Sequence, residues 1–278
     1  MMRLRRAPSR LGFAAAVVVV VGWSLAPYAW FVITSLKSPA EIAARPPTIL
    51  PRGVYADNYA SLVTHYRLWV PVRNSAVVAG VTTLAVIPIA ALAAYALARL
   101  RFRGRAAVLS GILAASMFPQ ITMTHTIERW LYALDWINTY QGLIVPYLSL
   151  TLPLAVWILA SFFKEIPVEL EEAARIDGWG PVGTLMRVFM PVAAPALFTA
   201  AILTFIYAWN EFFFASFIAD REEIRTLPVA IAQFHGRFSL PWGEVAAASV
   251  VATFPLVALV LALQRRIIRG LTAGAVKG

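Results

Sequence analysis

Six apolar stretches, each close to the length needed to cross a bilayer, constrain this chain more than any other feature. They cover residues 13–33, 74–97, 106–124, 142–163, 192–218 and 245–263. A helix needs about 20 apolar residues to span a hydrocarbon core about 30 Å thick. Lipid offers backbone N–H and C=O groups no partner, so runs of this length satisfy themselves as helices. The expected fold class is therefore all-α, a polytopic membrane protein with six transmembrane helices. Composition agrees: 60% of residues are hydrophobic and 14% charged, against about 45–50% and about 25% in a soluble domain. Pro27, Pro88, Pro119, Pro153, Pro195 and Pro255 fall one in each stretch. Membrane helices tolerate proline when neighbours re-satisfy the freed carbonyl, so each is expected to kink its helix.

Basic residues set the orientation. Arg3, Arg5, Arg6 and Arg10 precede the first stretch, and Arg99, Arg101, Arg103 and Arg105 separate the second from the third. Lys164, Arg175 and Arg187 lie between the fourth and fifth, and Arg265, Arg266, Arg269 and Lys277 follow the sixth. These regions hold 15 of the 24 Lys and Arg; the other connections, longer in total, hold nine. The positive-inside rule then places both termini in the cytoplasm, which an even number of spans requires. The first apolar run exceeds the roughly 7–15-residue core of a cleaved signal peptide, so it reads as an anchor. The division is a basic cytoplasmic N-terminus at 1–12, a membrane domain at 13–263 with a cytoplasmic loop at 164–191, and a cytoplasmic tail at 264–278.

The net charge of +10 would suggest nucleic acid in a soluble protein. Here the charge sits at span ends, so no nucleic-acid partner is expected. The chain has no cysteine, and His65, His125 and His235 are far apart, so no metal site is expected either. No G-x-x-x-x-G-K-[ST] loop occurs, so the chain should not bind ATP by itself. Gly178-Trp179-Gly180-Pro181-Val182-Gly183 fits G-x-G-x-x-G. A Glu-rich helix precedes it where a dinucleotide site needs a strand, and Pro181 has no N–H for phosphate.

The cytoplasmic loop reads as a short helix. Pro167 suits a first helical position, and Glu169, Glu171 and Glu172 place negative charge near the positive end of the helix dipole. Gly178 stands where a left-handed residue would end the helix, and Pro181 starts a second short helix. Leu170, Ala173 and Ala174 are expected to share a face through i, i+3, i+4 spacing. The alanines would let a partner approach closely, and Glu172 would offer it a carboxylate. Periodicity alone is equally consistent with a solvated helix lying on the membrane.

Glu172-Ala173-Ala174, then Gly178, then Val188-x-Met190-Pro191 resembles the EAA signature of ABC importer permeases. Val188 and Met190 replace the usual Ile and Leu and keep the apolar character. Other segments are similar to the shorter permease subunit of maltose/trehalose-type carbohydrate importers. They are Ser35-Leu36-Lys37, Asn58-Tyr59, Asn74-Ser75, Ala94-Tyr95-Ala96-Leu97-Ala98-Arg99, Trp209-Asn210-Glu211-Phe212 and the tail from Gln264 to Gly278. The resemblance implies a type I ABC importer permease in the bacterial inner membrane, translocating a di- or oligosaccharide by alternating access. It implies four partners: a second homologous permease, a dimeric cytoplasmic ATPase that binds ATP and Mg, an extracytoplasmic sugar-binding protein, and the sugar. Glu172, Ala173, Ala174, Asp177, Gly178 and Pro191 would couple to the ATPase, and Gly270, Leu271, Thr272, Gly274 and Lys277 would touch it from the tail. The same loop would suit a glycerophosphodiester or polyamine cargo. A membrane enzyme fits less well, since no cluster of ionisable groups falls at one membrane depth; a secondary carrier would call for repeated broken helices with midplane charges and no ATPase.

Asn74, Asn210 and Glu211 are candidates for the translocation path. Counting 1.5 Å per residue from Val192 puts Glu211 about 28 Å along its helix, near the outer interface. It would either sit hydrated there, face the pathway, or brace a helix that lines it. The loop 219–243 is long enough to meet the sugar-binding protein. Tyr28, Trp30, Trp69, Trp130, Tyr132, Trp136 and Trp242 read mainly as headgroup-level belt residues.

Overall fold

Proline decides which apolar runs stay continuous and which break. The computed structural model describes residues 10–234 and 240–273, and every regular element among them is helical. Pro27, Pro88 and Pro255 lie inside uninterrupted helices, and Pro146 and Pro153 share another. Pro119 and Pro195 instead sit at helix starts, where a missing N–H costs nothing. The expected six kinks are thereby corrected to four continuous helices and two sharp breaks.

In chain order the elements are α1 (Arg10–Ser35), α2 (Pro39–Ile42), α3 (Asp57–Thr64), α4 (Trp69–Arg99), α5 (Arg105–Ser116), α6 (Gln120–Ala133) and α7 (Tyr140–Glu165). Then come α8 (Val168–Ile176), α9 (Pro181–Thr184), a π-helical turn (Leu185–Phe189), α10 (Met190–Val192), α11 (Ala194–Asn210), α12 (Phe213–Ile218), α13 (Leu227–Ala232) and α14 (Trp242–Ala273). α1, α4, α7 and α14 are long and apolar enough to cross a membrane. The spans number six if each bent pair counts once: α5 with α6, bent by 90°, and Pro181–Val192 with α11, bent by 83°. Pro191 directly precedes the stretch expected at 192–218. It lies in α10, and the straight helix begins after Ala193. The span expected at 192–218 also ends early, at Asn210.

The chain divides into two units, 1–68 with 233–254 and 69–232 with 255–278. In the first, Asn58 is buried and its Nδ2 donates to the carbonyls of Ser35 and Lys37, both at 2.9 Å. The Tyr59 and Ser35 hydroxyls lie 2.8 Å apart. The Lys37 ammonium donates to the Thr48 carbonyl and sits 4.9 Å from the Trp30 ring centroid. Ser35-Leu36-Lys37 and Asn58-Tyr59 are thus two halves of one lock. A Cβ at Gly243 would come within 2.7 Å of the Asn58 amide, so only glycine fits there. Losing a buried amide's bonds costs about 1–3 kcal/mol. Asn58→Ala should therefore lower the thermal midpoint in detergent by several degrees, and Gly243→Val should lower it further. Nearby, the Tyr66 hydroxyl donates to Glu244 at 2.8 Å. Burial, reinforced by that carboxylate, pushes its pKa up to about 12, so it stays a donor at neutral pH.

The second unit is built on α4, α7 and α11. Ala90, Ala91 and Ala94 of α4 meet Ala155 and Ala160 of α7 and Ala196 and Ala200 of α11 in one buried cluster. Without a hydrophobic drive between helices in lipid, such small residues allow the close backbone approach on which packing depends. Phe163, Phe189 and Tyr95 fill one end of the cluster, with Phe189 edge-on to Tyr95 at 5.0 Å and to Phe163 at 5.4 Å.

Candidate functional site

The loop after α7 carries the most exposed functional chemistry. α8 starts behind Pro167, whose extended backbone makes it the cap and not the first helical residue. Glu169 and Glu171 occupy its first turn. The helix ends at Asp177, and Gly178 takes φ +82°. Its N–H donates to the Arg175 carbonyl at 3.0 Å, and that of Trp179 donates to Ala174 at 2.9 Å. These bonds satisfy the last carbonyls, and the left-handed turn is why glycine is needed. The Arg187 guanidinium covers the Trp179 ring at 3.3 Å, and Val188 and Met190 are half-buried against the three-helix core.

The expected common face of Leu170, Ala173 and Ala174 is corrected. Ala174 is 3% exposed and turns inward with Glu171, three residues before it. Leu170 and Ala173 point outward with Glu172, Ile176, Asp177 and Gly178. The cause is Arg99 at the end of α4. Its Nε lies 3.9 Å from the Glu171 carboxylate, so the helix rotates to bring that acid in. The outward surface combines exposed Val168, Leu170 and Ile176, the last 87% exposed, with Glu172 and Asp177.

The three path candidates have separate environments. Glu211 is 6% exposed, so it does not sit hydrated at an interface. One carboxylate oxygen accepts the Phe214 N–H at 2.9 Å; the other accepts the Ala215 N–H at 3.1 Å and the Tyr147 hydroxyl at 2.6 Å. It caps α12 and ties that helix to α7. Asn74 is fully buried. It donates to the carbonyls of Glu223 and Arg225 at 2.8 and 3.0 Å and accepts the Tyr140 hydroxyl at 2.7 Å. Ser75 accepts the Leu227 N–H at 2.8 Å, so Asn74-Ser75 pins the 223–227 segment to the head of α4. Asn210 is exposed, and its amide donates to Ile206 at 2.8 Å.

Sequence reasoning missed a cavity of about 340 Å³ at the break between α5 and α6, walled also by α7 and α11. Gln120, Ser149, Thr151, Thr204 and Tyr207 bring polar atoms to a largely apolar lining, and the Gln120 amide donates to the Tyr207 hydroxyl at 2.5 Å. The signal was Pro119-Gln120 within an apolar run. Of the tail residues, Gly270, Leu271 and Thr272 continue α14, while Gly274 and Lys277 lie outside the described residues. Among the described residues no three His, Asp or Glu side chains converge on a possible metal position.

Residues 74–273 match the family of binding-protein-dependent transport system inner membrane components. The chain belongs to that family. This inner membrane component is 41% identical over 257 residues to the trehalose/maltose transport system permease protein MalG of Thermococcus litoralis, spanning 91% of this chain and 92% of that protein. It is also 41% identical over 268 residues to the sulfoquinovosyl glycerol transport system permease protein SmoH of Agrobacterium fabrum, spanning 96% and 94%. The trehalose transport system permease protein SugB of Mycobacterium tuberculosis is 39% identical over 268 residues, spanning 96% and 97%. A solved bacterial ABC transporter that imports alginate superposes with a TM-score of 0.79 at 21% identity, covering 95% of this chain and 99% of that one. That structure shares the fold. The family match begins within α4 and includes the α8 loop and the cavity.

Proposed function

We propose that this permease carries a di- or oligosaccharide of the trehalose/maltose kind into the cytoplasm by alternating access, driven by a separate ATPase. The supporting observation is the outward face of α8, where acid, alanine and bulky apolar groups stand exposed on a helix whose other face is locked to α4. A helix with one anchored and one free face can receive a push and pass it on. Glu172, Ala173, Asp177 and Gly178 meet the ATPase in this reading. Ala174 supports them from within, and Pro191, exposed in α10, completes the coupling surface. The distribution of Lys and Arg supports a cytoplasmic position for this loop and both termini. ATP and Mg then belong to the ATPase partner, and a second permease completes the pathway. A binding protein, which the family's description supports, delivers cargo; in this reading it is external and binds the sugar. The tail residues Gly270, Leu271, Thr272, Gly274 and Lys277 extend the cytoplasmic contact.

Sugar transport is supported by the relatives' names, which include trehalose, maltose and a glycosyl glycerol. The cavity at Gln120 and Tyr207 forms part of the path wall, and Asn210 adds an exposed amide. Reconstitution with both permeases, the ATPase and the binding protein tests the cargo. Trehalose or maltose should stimulate ATP hydrolysis several-fold. Stimulation by spermidine or a glycerophosphodiester, with none by sugars, would overturn the carbohydrate reading.

A further inference from the structure

Arg99 touches the α8 loop at three points, on both sides of α8 and on the helix itself. Its guanidinium donates to the Ile166 carbonyl, just before α8. Its Nε faces the Glu171 carboxylate at 3.9 Å, within α8. Its plane covers the Phe189 ring at 4.9 Å, after α9. Both charged side chains are under one-tenth exposed, at 7% and 8%. The Arg99 Nε makes no hydrogen bond, so the Glu171 carboxylate is the charge that balances it. The other Glu171 oxygen accepts from Arg175 at 2.7 Å, one helical turn along, which extends the link to the end of α8. Arg99 is also the last residue of α4, the helix packed against α7 and α11 in the three-helix core. One turn earlier on α4, Tyr95 makes a T-shaped contact with the same Phe189 ring.

We propose that Arg99, paired with Glu171, is the joint that transmits displacement of α8 to α4. Docking alone needs only the outward face of α8; moving the core needs a stiff connection on the inward face. A planar guanidinium can hold a carbonyl, a carboxylate and an aromatic ring at once, and a lysine ammonium on a flexible stem cannot. Low exposure also limits screening by salt, so the joint stays stiff under physiological conditions. Arg99 and Glu171 are positioning residues. They touch neither cargo nor nucleotide. This inference rests on the proposal that α8 docks the ATPase.

The test uses the complete transporter in proteoliposomes, with sugar uptake, ATP hydrolysis and ATPase co-purification measured together. In Arg99→Lys and Glu171→Gln the ATPase subunit should still co-purify. Sugar moved per ATP should fall by about tenfold or more, within the range of ordinary coupling free energies. The double variant should be no worse than the poorer single variant, because both remove one contact. The chain contains no cysteine, so Arg99→Cys with Glu171→Cys can be bridged by a short thiol cross-linker. Bridging should restore uptake per ATP. Unchanged uptake per ATP in both single variants overturns the proposal. Loss of ATPase co-purification alongside uptake overturns it too, because the pair would then serve only the shape of the docking helix. The underlying docking reading fails by a different result: retained co-purification when Glu172→Arg and Ile176→Glu are combined on the outward face.

Discussion

Glu211→Ala is expected to remove most of the folded protein from the membrane fraction. Its carboxylate accepts three hydrogen bonds in a site 6% exposed, from Phe214, Ala215 and Tyr147. Hydrogen bonds to charged groups contribute about 1.5–3 kcal/mol each, and orphaned buried donors add their desolvation cost. A loss of about 5 kcal/mol follows, comparable with the whole stability of a small domain. Tyr147→Phe removes one of the three donors and leaves nothing orphaned on α12. It should cost about 1–2 kcal/mol. Glu211→Gln should fall between the two, because its amide NH₂ faces N–H and O–H donors. Thermal midpoints of the detergent-purified complex rank the three variants. A Glu211→Ala protein as stable as the parent would refute the buried brace.

The opposite pattern is expected on the outward face of α8. Combining Glu172→Arg with Ile176→Glu touches two exposed positions, and surface changes of this kind usually stay within about 0.5 kcal/mol of the parent stability. Affinity for the ATPase should nevertheless drop by about 100-fold. That corresponds to about 2.7 kcal/mol, the effect of reversing one charge and removing one apolar anchor. Gly178 gives a companion comparison. Its φ of +82° and the open space around it mean that backbone strain, not crowding, limits substitution. Asn tolerates that conformation better than most residues, so Gly178→Asn should keep more transport than Gly178→Val. Gly178→Asp should remain in the membrane yet lose association or uptake. ATPase pull-down and sugar uptake on equal amounts of folded protein decide each case.

These contrasts follow what local sequence can encode. The start and stop of α8 were legible because Pro167, the run of acids and Gly178 act within one or two turns. Which side of α8 faces inward was not. Arg99 selects Glu171 across the fold, and Glu171, Glu172 and the alanines look interchangeable in a short window. The prolines were similarly ambiguous. Pro88 and Pro153 sit in helices packed on each other, whereas Pro119 and Pro195 coincide with breaks of 90° and 83°. Apart from Gln120 after Pro119, the residues beside the prolines do not distinguish these outcomes. The buried surroundings of Glu211 were hidden for a geometric reason. A ruler of 1.5 Å per residue assumes a straight helix from Val192, but the chain bends before Ala194 and leaves the helix after Asn210. Asn74 followed the same pattern. It opens an apolar run like a pathway residue, yet its amide is committed to the carbonyls of Glu223 and Arg225.

In this mechanism the ATPase grips the outward face of α8. Site-specific cross-linking tests it most directly, since any cysteine placed in this chain is the only one it has. With a photoactivatable thiol reagent on Ala173→Cys, the complete transporter should yield a covalent adduct with its ATPase subunit. The neighbouring Ala174→Cys, on the inward face, should yield none. Equal adducts from both positions, or labelling of Ala173→Cys by an impermeant thiol reagent from outside the cell, would contradict the account.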